Sequence, residues 1–161
     1  MALLKRGAVL LAVSAVGLGA LTGVAQASDA TVKAAIHKQD RSLAESAAVK
    51  KILKSPTRTT TSAPKAIKLF TALEKRFDAA ATAVSKTSAS TAKGRTGEAD
   101  WVGGVRGVAK GLGQFVVAFK DVEHKRQTAA KKEATTAVKT IAAAEKRVAT
   151  ADKDLGLPAG D

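Results

Sequence analysis

Seven residues near the middle of the chain set the terms for everything else. Trp101, Val105, Val108, Leu112, Phe115, Phe119 and Val122 follow one another at alternating spacings of four and three. A helix of 3.6 residues per turn gathers that spacing onto one stripe, whereas a strand of period two would scatter it over both faces. The stripe holds the only Trp and two of the four Phe, so it reads as buried core and not as a ligand platform. Composition points the same way. Aromatic residues are 3% of the chain and Tyr is absent, which starves a wide β-sandwich or barrel of the side chains strands draw on. Alanine, rich throughout, favours helix because it loses no side-chain entropy there. The expected class is all-α.

Punctuation divides the remainder into helices about 29–54, 64–92, 97–122 and 132–155. The first carries Val32, Ile36, Leu43, Ala47 and Leu53 roughly on one face, and Ser55-Pro56 ends it, since proline removes a donor and disfavours helix in the preceding residue. A polar linker, 55–63, follows. Pro64 suits a helix start, where a missing N–H costs nothing. In the second helix Phe70, Leu73, Phe77, Ala80 and Val84 form an a/d seam that fades into the Ser/Thr run 85–91, with Lys93-Gly94 as the stop. Thr96 is the expected N-cap of the third helix, with Glu98 and Asp100 complementing its positive end. In the fourth, Ala134, Val138, Ile141, Val148 and Leu155 resume at helical spacing, and Leu155-Gly156-Leu157-Pro158 has the form of a Schellman stop.

Residues 123–133 leave two architectures open. They contain no Gly or Pro. A turn there gives an antiparallel bundle of four helices of matched length. No turn gives one C-terminal helix of 59 residues from Gly97 to Leu155, about 88 Å long at 1.5 Å per residue, which would pair with the first helix or with another chain.

The N-terminus reads as an export signal, residues 1–27. Lys5-Arg6 is a short cationic start, Gly7 to Leu21 is uncharged, and Ala25-Gln26-Ala27 offers the small residues that signal peptidase accepts. Cleavage after Ala27 would leave a basic helical bundle, 28–157, with a short tail, 158–161. No second long uncharged run follows. The expected destination is the cell envelope or the extracellular space.

Formal net charge is +13 on 161 residues, enough to draw polyanions toward a small domain, most strongly at low salt. The charge is uneven. Residues 55–96 hold eight cations against two carboxylates: Arg58, Lys65, Lys68, Lys75, Arg76, Lys86, Lys93 and Arg95 are the expected anion-binding set. Residues 97–119 are neutral. The expected partner is an anionic envelope polymer or membrane surface. No aromatic residue is interleaved with the cations to stack bases, and sequence-specific nucleic-acid recognition is not expected.

Glycines are concentrated in the third helix. Gly103, Gly107 and Gly111 lie four apart, with Gly104 and Gly113 beside them. Each costs about 0.8–1 kcal/mol against Ala in a helix interior, so five need an offset. Close approach of a second helix is one candidate, and contact with a bilayer surface another. Homo-oligomerisation through the seams is a further option.

Chemistry is sparse. Without Cys there is no disulfide, thiolate metal site or thiol nucleophile. His37 and His124 lack any GxSxG-type partner. Asp40 with Glu45, and Asp152 with Asp154, share no helix face at separations of five and two. Salt bridges are expected from Asp121 to Lys125 and from Asp152 to Lys153. No metal-ligand spacing occurs, and no cofactor is implied. The chain is expected to be non-catalytic: an adhesive basic protein first, a self-assembling coiled coil or a membrane-active amphipathic factor as alternatives.

Overall fold

The computed structural model describes residues 24–45 and 62–157, with side chains from 29 to 43 in the first stretch and throughout the second. Every element among them is helical: α1 (Val24–Glu45), α2 (Ala63–Val84), α3 (Ala92–Glu123) and α4 (Gln127–Leu155). The fold is all-α. One core unites the four helices, with Val32 and Ile36 of α1, Leu73, Phe77 and Val84 of α2, Trp101 and Val105 of α3 and Val148 of α4 all closed to solvent. Residues 1–23 of the leader, the linker 55–61, Ala47, Leu53, Arg58 and the tail 158–161 lie outside the described residues; α1 takes in the last four leader residues and runs through the Ala27–Ser28 bond.

Several expected boundaries move. Thr87 Oγ1 donates to the Val84 carbonyl at 2.6 Å and Ser85 Oγ to that of Thr82 at 3.0 Å. Hydroxyls that take up the last carbonyls compete with further helix, so α2 stops at Val84, not at 92. Nor is Lys93-Gly94 a stop. The N-cap of α3 is Thr91, not Thr96: Thr91 Oγ1 accepts from Gly94 N at 2.9 Å, which places both residues in the first turn. Glu98 reaches back to accept from Ala89 N at 3.0 Å. Val122 and Val138, expected in the seams, are exposed.

The open question at 123–133 is answered by a turn. Lys125 has φ 58°, and Arg126 N donates to Asp121 O while Lys125 N donates to Val122 O. That bond pair is a Schellman motif with lysine in the left-handed position usually held by glycine. A continuous 59-residue helix is therefore excluded, and α4 starts at Gln127, not at 132. Asp121, buried, pairs with Arg126 at 2.6 Å, not with Lys125. The same motif closes α4. There Gly156 (φ 63°) takes the left-handed place, Leu157 N donates to Asp152 O and Gly156 N to Lys153 O.

The turn folds α4 back along α3 in an antiparallel hairpin of strict register. Gly97 lies against Leu155, Gly104 against Val148, and Gly111 against Ile141. Each pair is seven residues from the next on both helices. A methyl group on Gly104 would come within 2.5 Å of Val148 Cγ2 and 2.9 Å of the Ala144 carbonyl oxygen; on Gly97 and Gly111 it would crowd the carbonyls of Ala151 and Ala137 at 3.3 and 3.1 Å. Buried Ala130, Ala137, Ala144 and Ala151 complete the α4 side. Burying an aliphatic side chain is worth roughly 1.5–3 kcal/mol, so Leu155 and Val148, both buried, offset what the glycines cost α3.

Candidate anion-binding surface

On α2 the buried residues Ala66, Leu73, Phe77, Ala80, Ala81 and Val84 make one face. Lys65, Lys68, Lys75 and Arg76 are all exposed and occupy an arc of about 100° on the outer side at 100° per residue. Glu74 and Asp78 fall on the opposite flank. Glu74 sits beside Gly113 of α3, whose added Cβ would lie 2.8 Å from Glu74 Oε1. Cations and carboxylates are therefore segregated along this helix. Phe70, on the inner edge, packs its ring against Phe115 and Phe119 with centroids 5.4 and 5.3 Å away, which orients the outer arc by anchoring the inner one.

The remaining expected cations stand apart from that arc. Lys86, Lys93 and Arg95 are exposed near the α2–α3 connection, and Arg95 Nη1 donates to Ser90 O at 2.6 Å, so its guanidinium is partly spent on the loop. That connection also receives α1. Asp29 Oδ1 accepts from Ser90 N at 2.9 Å and Thr91 N at 3.2 Å, and its second oxygen accepts from Thr91 Oγ1. The Thr91 hydroxyl, aided by the backbone N–H groups of Thr91 and Ser90, holds the Asp29 carboxyl below its usual range, against a smaller opposing effect of desolvation. The carboxylate also lies over Gly94, where a Cβ would meet Oδ1 at 2.5 Å.

Of the glycines singled out by spacing, Gly107 and Gly111 face Ala144 and Ile141 of α4, whereas Gly103 lies under the Arg147 guanidinium. Arg147 Nε reaches Asp100 Oδ1 at 2.8 Å. Gly103, Gly107 and Gly111 are spaced by four, but the packing repeats by seven, through Gly97, Gly104 and Gly111. The α3–α4 seam is thus filled within one chain.

Residue spacing alone also contained a second basic feature, visible once the α4 register is known. Lys132, Lys139, Lys146 and Lys153 recur every seven residues, all exposed, on the side of α4 away from the alanines. The signal was the lysine heptad itself, hidden among nearby cations at other positions such as Lys131 and Arg147.

No catalytic constellation assembles elsewhere among the described residues. His37 is half-buried and His124 is exposed at the α3 C-cap. Among the described residues no cluster of three His, Cys, Asp or Glu is placed to hold a metal ion, and no helix is long and apolar enough to cross a membrane. Asp152 lies buried, at 3% exposure. Compared with known proteins, the chain matches no family model, no curated protein and no solved structure.

Proposed function

We propose that this is an exported, non-catalytic antiparallel helical bundle that binds an anionic partner in the cell envelope or extracellular space through its basic surface. The observation that carries the reading is the segregation of charge on α2. Lys65, Lys68, Lys75 and Arg76 share one exposed arc, and the carboxylates of that helix lie off it. A field of one sign over an exposed face raises the local concentration of polyanions and speeds their encounter. The export part rests on Lys5-Arg6, the uncharged stretch after it and Ala25-Gln26-Ala27. It predicts a secreted form whose N-terminal residue is Ser28, read directly by mass spectrometry; a leader retained on the protein recovered from outside the cell overturns it.

The binding part is tested on a heparin column. The full chain is expected to be retained to high salt, and joint replacement of Lys65, Lys68, Lys75 and Arg76 by Gln to move elution to markedly lower salt. Unchanged elution discards α2 as the contact, and passage of the unmodified chain in the flow-through at low salt discards polyanion binding.

A further inference from the structure

We infer that the outer face of α4 is a track for a linear phosphodiester polymer with uncharged polyol spacers, of the teichoic-acid type; this rests on the polyanion reading above and adds a second surface and a polymer class to it. The register of the α3–α4 hairpin fixes the faces of α4. Packing of Ala137, Ala144 and Ala151 against the glycines of α3 decides which side of α4 is inward, and so turns Lys132, Lys139, Lys146 and Lys153 outward in single file. At 1.5 Å per residue the row has a pitch of about 10.5 Å and a length of about 32 Å, drifting only about 20° per heptad. None of the four lysines forms an ion pair among the described residues.

What borders the row decides the class of partner. Its neighbours on the two sides are Thr135, Thr136, Ala142, Ala143, Ala149 and Thr150, with no carboxylate among them. Thr135, Thr136 and Thr150 turn their hydroxyls back to the carbonyls of Lys131, Lys132 and Lys146, which leaves a low, smooth surface between the ammonium groups. A bilayer-binding helix needs large apolar anchors on the contact side, and this face has none. A platform for single-stranded nucleic acid needs aromatic rings for stacking, and none is present. A nucleic-acid duplex carries a charge about every 3.4 Å along each strand, much denser than the lysine pitch. A base-free chain of phosphates and neutral polyol units needs neither stacking rings nor apolar anchors, and an extended one can lie along the row and meet lysine after lysine.

The test uses the full chain and a fluorescently labelled, deacylated poly(glycerol phosphate), with binding followed by anisotropy as salt is raised. Lys132→Gln, Lys139→Gln, Lys146→Gln and Lys153→Gln together are expected to weaken binding at least about tenfold and to lower the slope of log affinity against log salt by roughly 3, the loss of four phosphate contacts on a single-stranded polyanion. The corresponding fourfold Arg set should bind like the unmodified chain. A charge-matched control, Lys38→Gln, Arg41→Gln, Lys110→Gln and Lys120→Gln, should change affinity less than about twofold, the residual effect of net charge screened by salt. Equal losses in the two Gln sets reduce the effect to net charge and overturn the track. So does an α4 set that binds normally while the α2 set does not, which leaves the polyanion reading standing. Tighter binding to phosphatidylglycerol vesicles or to single-stranded DNA of equal phosphate count overturns the polymer class. Failure to bind poly(glycerol phosphate) with retention on heparin overturns this inference alone, and failure on both supports overturns both.

Discussion

Two sides of α3 solve the problem of burial by opposite means. One side, where Phe115 and Phe119 meet Phe70 of α2 at a tilt, is built from bulk, with Trp101, Val105 and Leu112 buried along the same stripe. The side turned to α4 is built from absence: Gly97, Gly104 and Gly111 give way to Leu155, Val148 and Ile141. On the first side the energy resides in what α3 inserts, and on the second in what it lets in. The lesson is that a helix need not carry large residues to have a large interface. It needs small ones where the partner's large ones arrive, and helix axes can then come toward the low end of the usual 8–10 Å separation, about one backbone diameter plus a methyl group.

Opposite substitutions on the two sides break or sharpen that contrast. Trp101→Ala deletes the largest buried side chain and should cost about 3–5 kcal/mol in urea unfolding. Gly104→Val adds volume on the other side, and overpacking of this kind should cost about 1–3 kcal/mol despite the gain in helix propensity. Pairing it with Val148→Ala should recover only part of the loss, because the Ala144 carbonyl still stands 2.9 Å from the new Cβ. A Gly104→Val protein as stable as the original would show that the α4 side is loosely filled and that the two sides differ less than their residues suggest.

A smaller effect is expected at the bend that brings α4 onto the glycine side. Lys125 holds a left-handed conformation that costs an L-residue about 1–2 kcal/mol. Lys125→Gly should therefore raise stability, by about 1 kcal/mol after the added freedom of the unfolded chain is counted. The unchanged midpoint of such a variant would mean that contacts of the lysine side chain offset the backbone cost.

The smallest effect sharpens the bulky side, where α1 is tied down by Asp29. Because its carboxyl is held below the usual value by the Thr91 hydroxyl, the ionised group favours the folded state. Its contribution is complete above the ordinary aspartate value of about 3.9 and is lost as pH falls below that, through the lowered value. Asp29→Asn should thus be less stable than the original chain at neutral pH, with the gap closing in acid. A gap that stays constant down to about pH 2, well under the ordinary value, would show that shape and not charge makes the clasp.

The bulky side was legible in the sequence and the other side was not, for a physical reason. Large apolar residues at spacings of four and three announce a buried stripe, and Trp101, Val105, Val108 and Leu112 are all buried. Glycine announces a stop as readily as a seam, so Gly94 and Gly97 read as a helix boundary when one lies beneath the Asp29 carboxylate and the other beneath Leu155. The bend at 124–126 was silent because the residue in the left-handed position is a lysine. Gly156, doing the same job at the far end of α4, was readable at once. Of the expected cation set, the α2 residues share one arc as their spacing implies. The heptad of lysines on α4 needed the register of the hairpin before it stood out from its neighbours.

That register has one further implication. Both partners in the glycine seam repeat every seven residues, so a slide of α4 by one heptad would again set an aliphatic side chain over a glycine. The repeat cannot count its own units. The short bend does the counting, with help from the Asp100–Arg147 clip, and the hairpin is in effect a zipper whose alignment is decided by its bottom stop and not by its teeth.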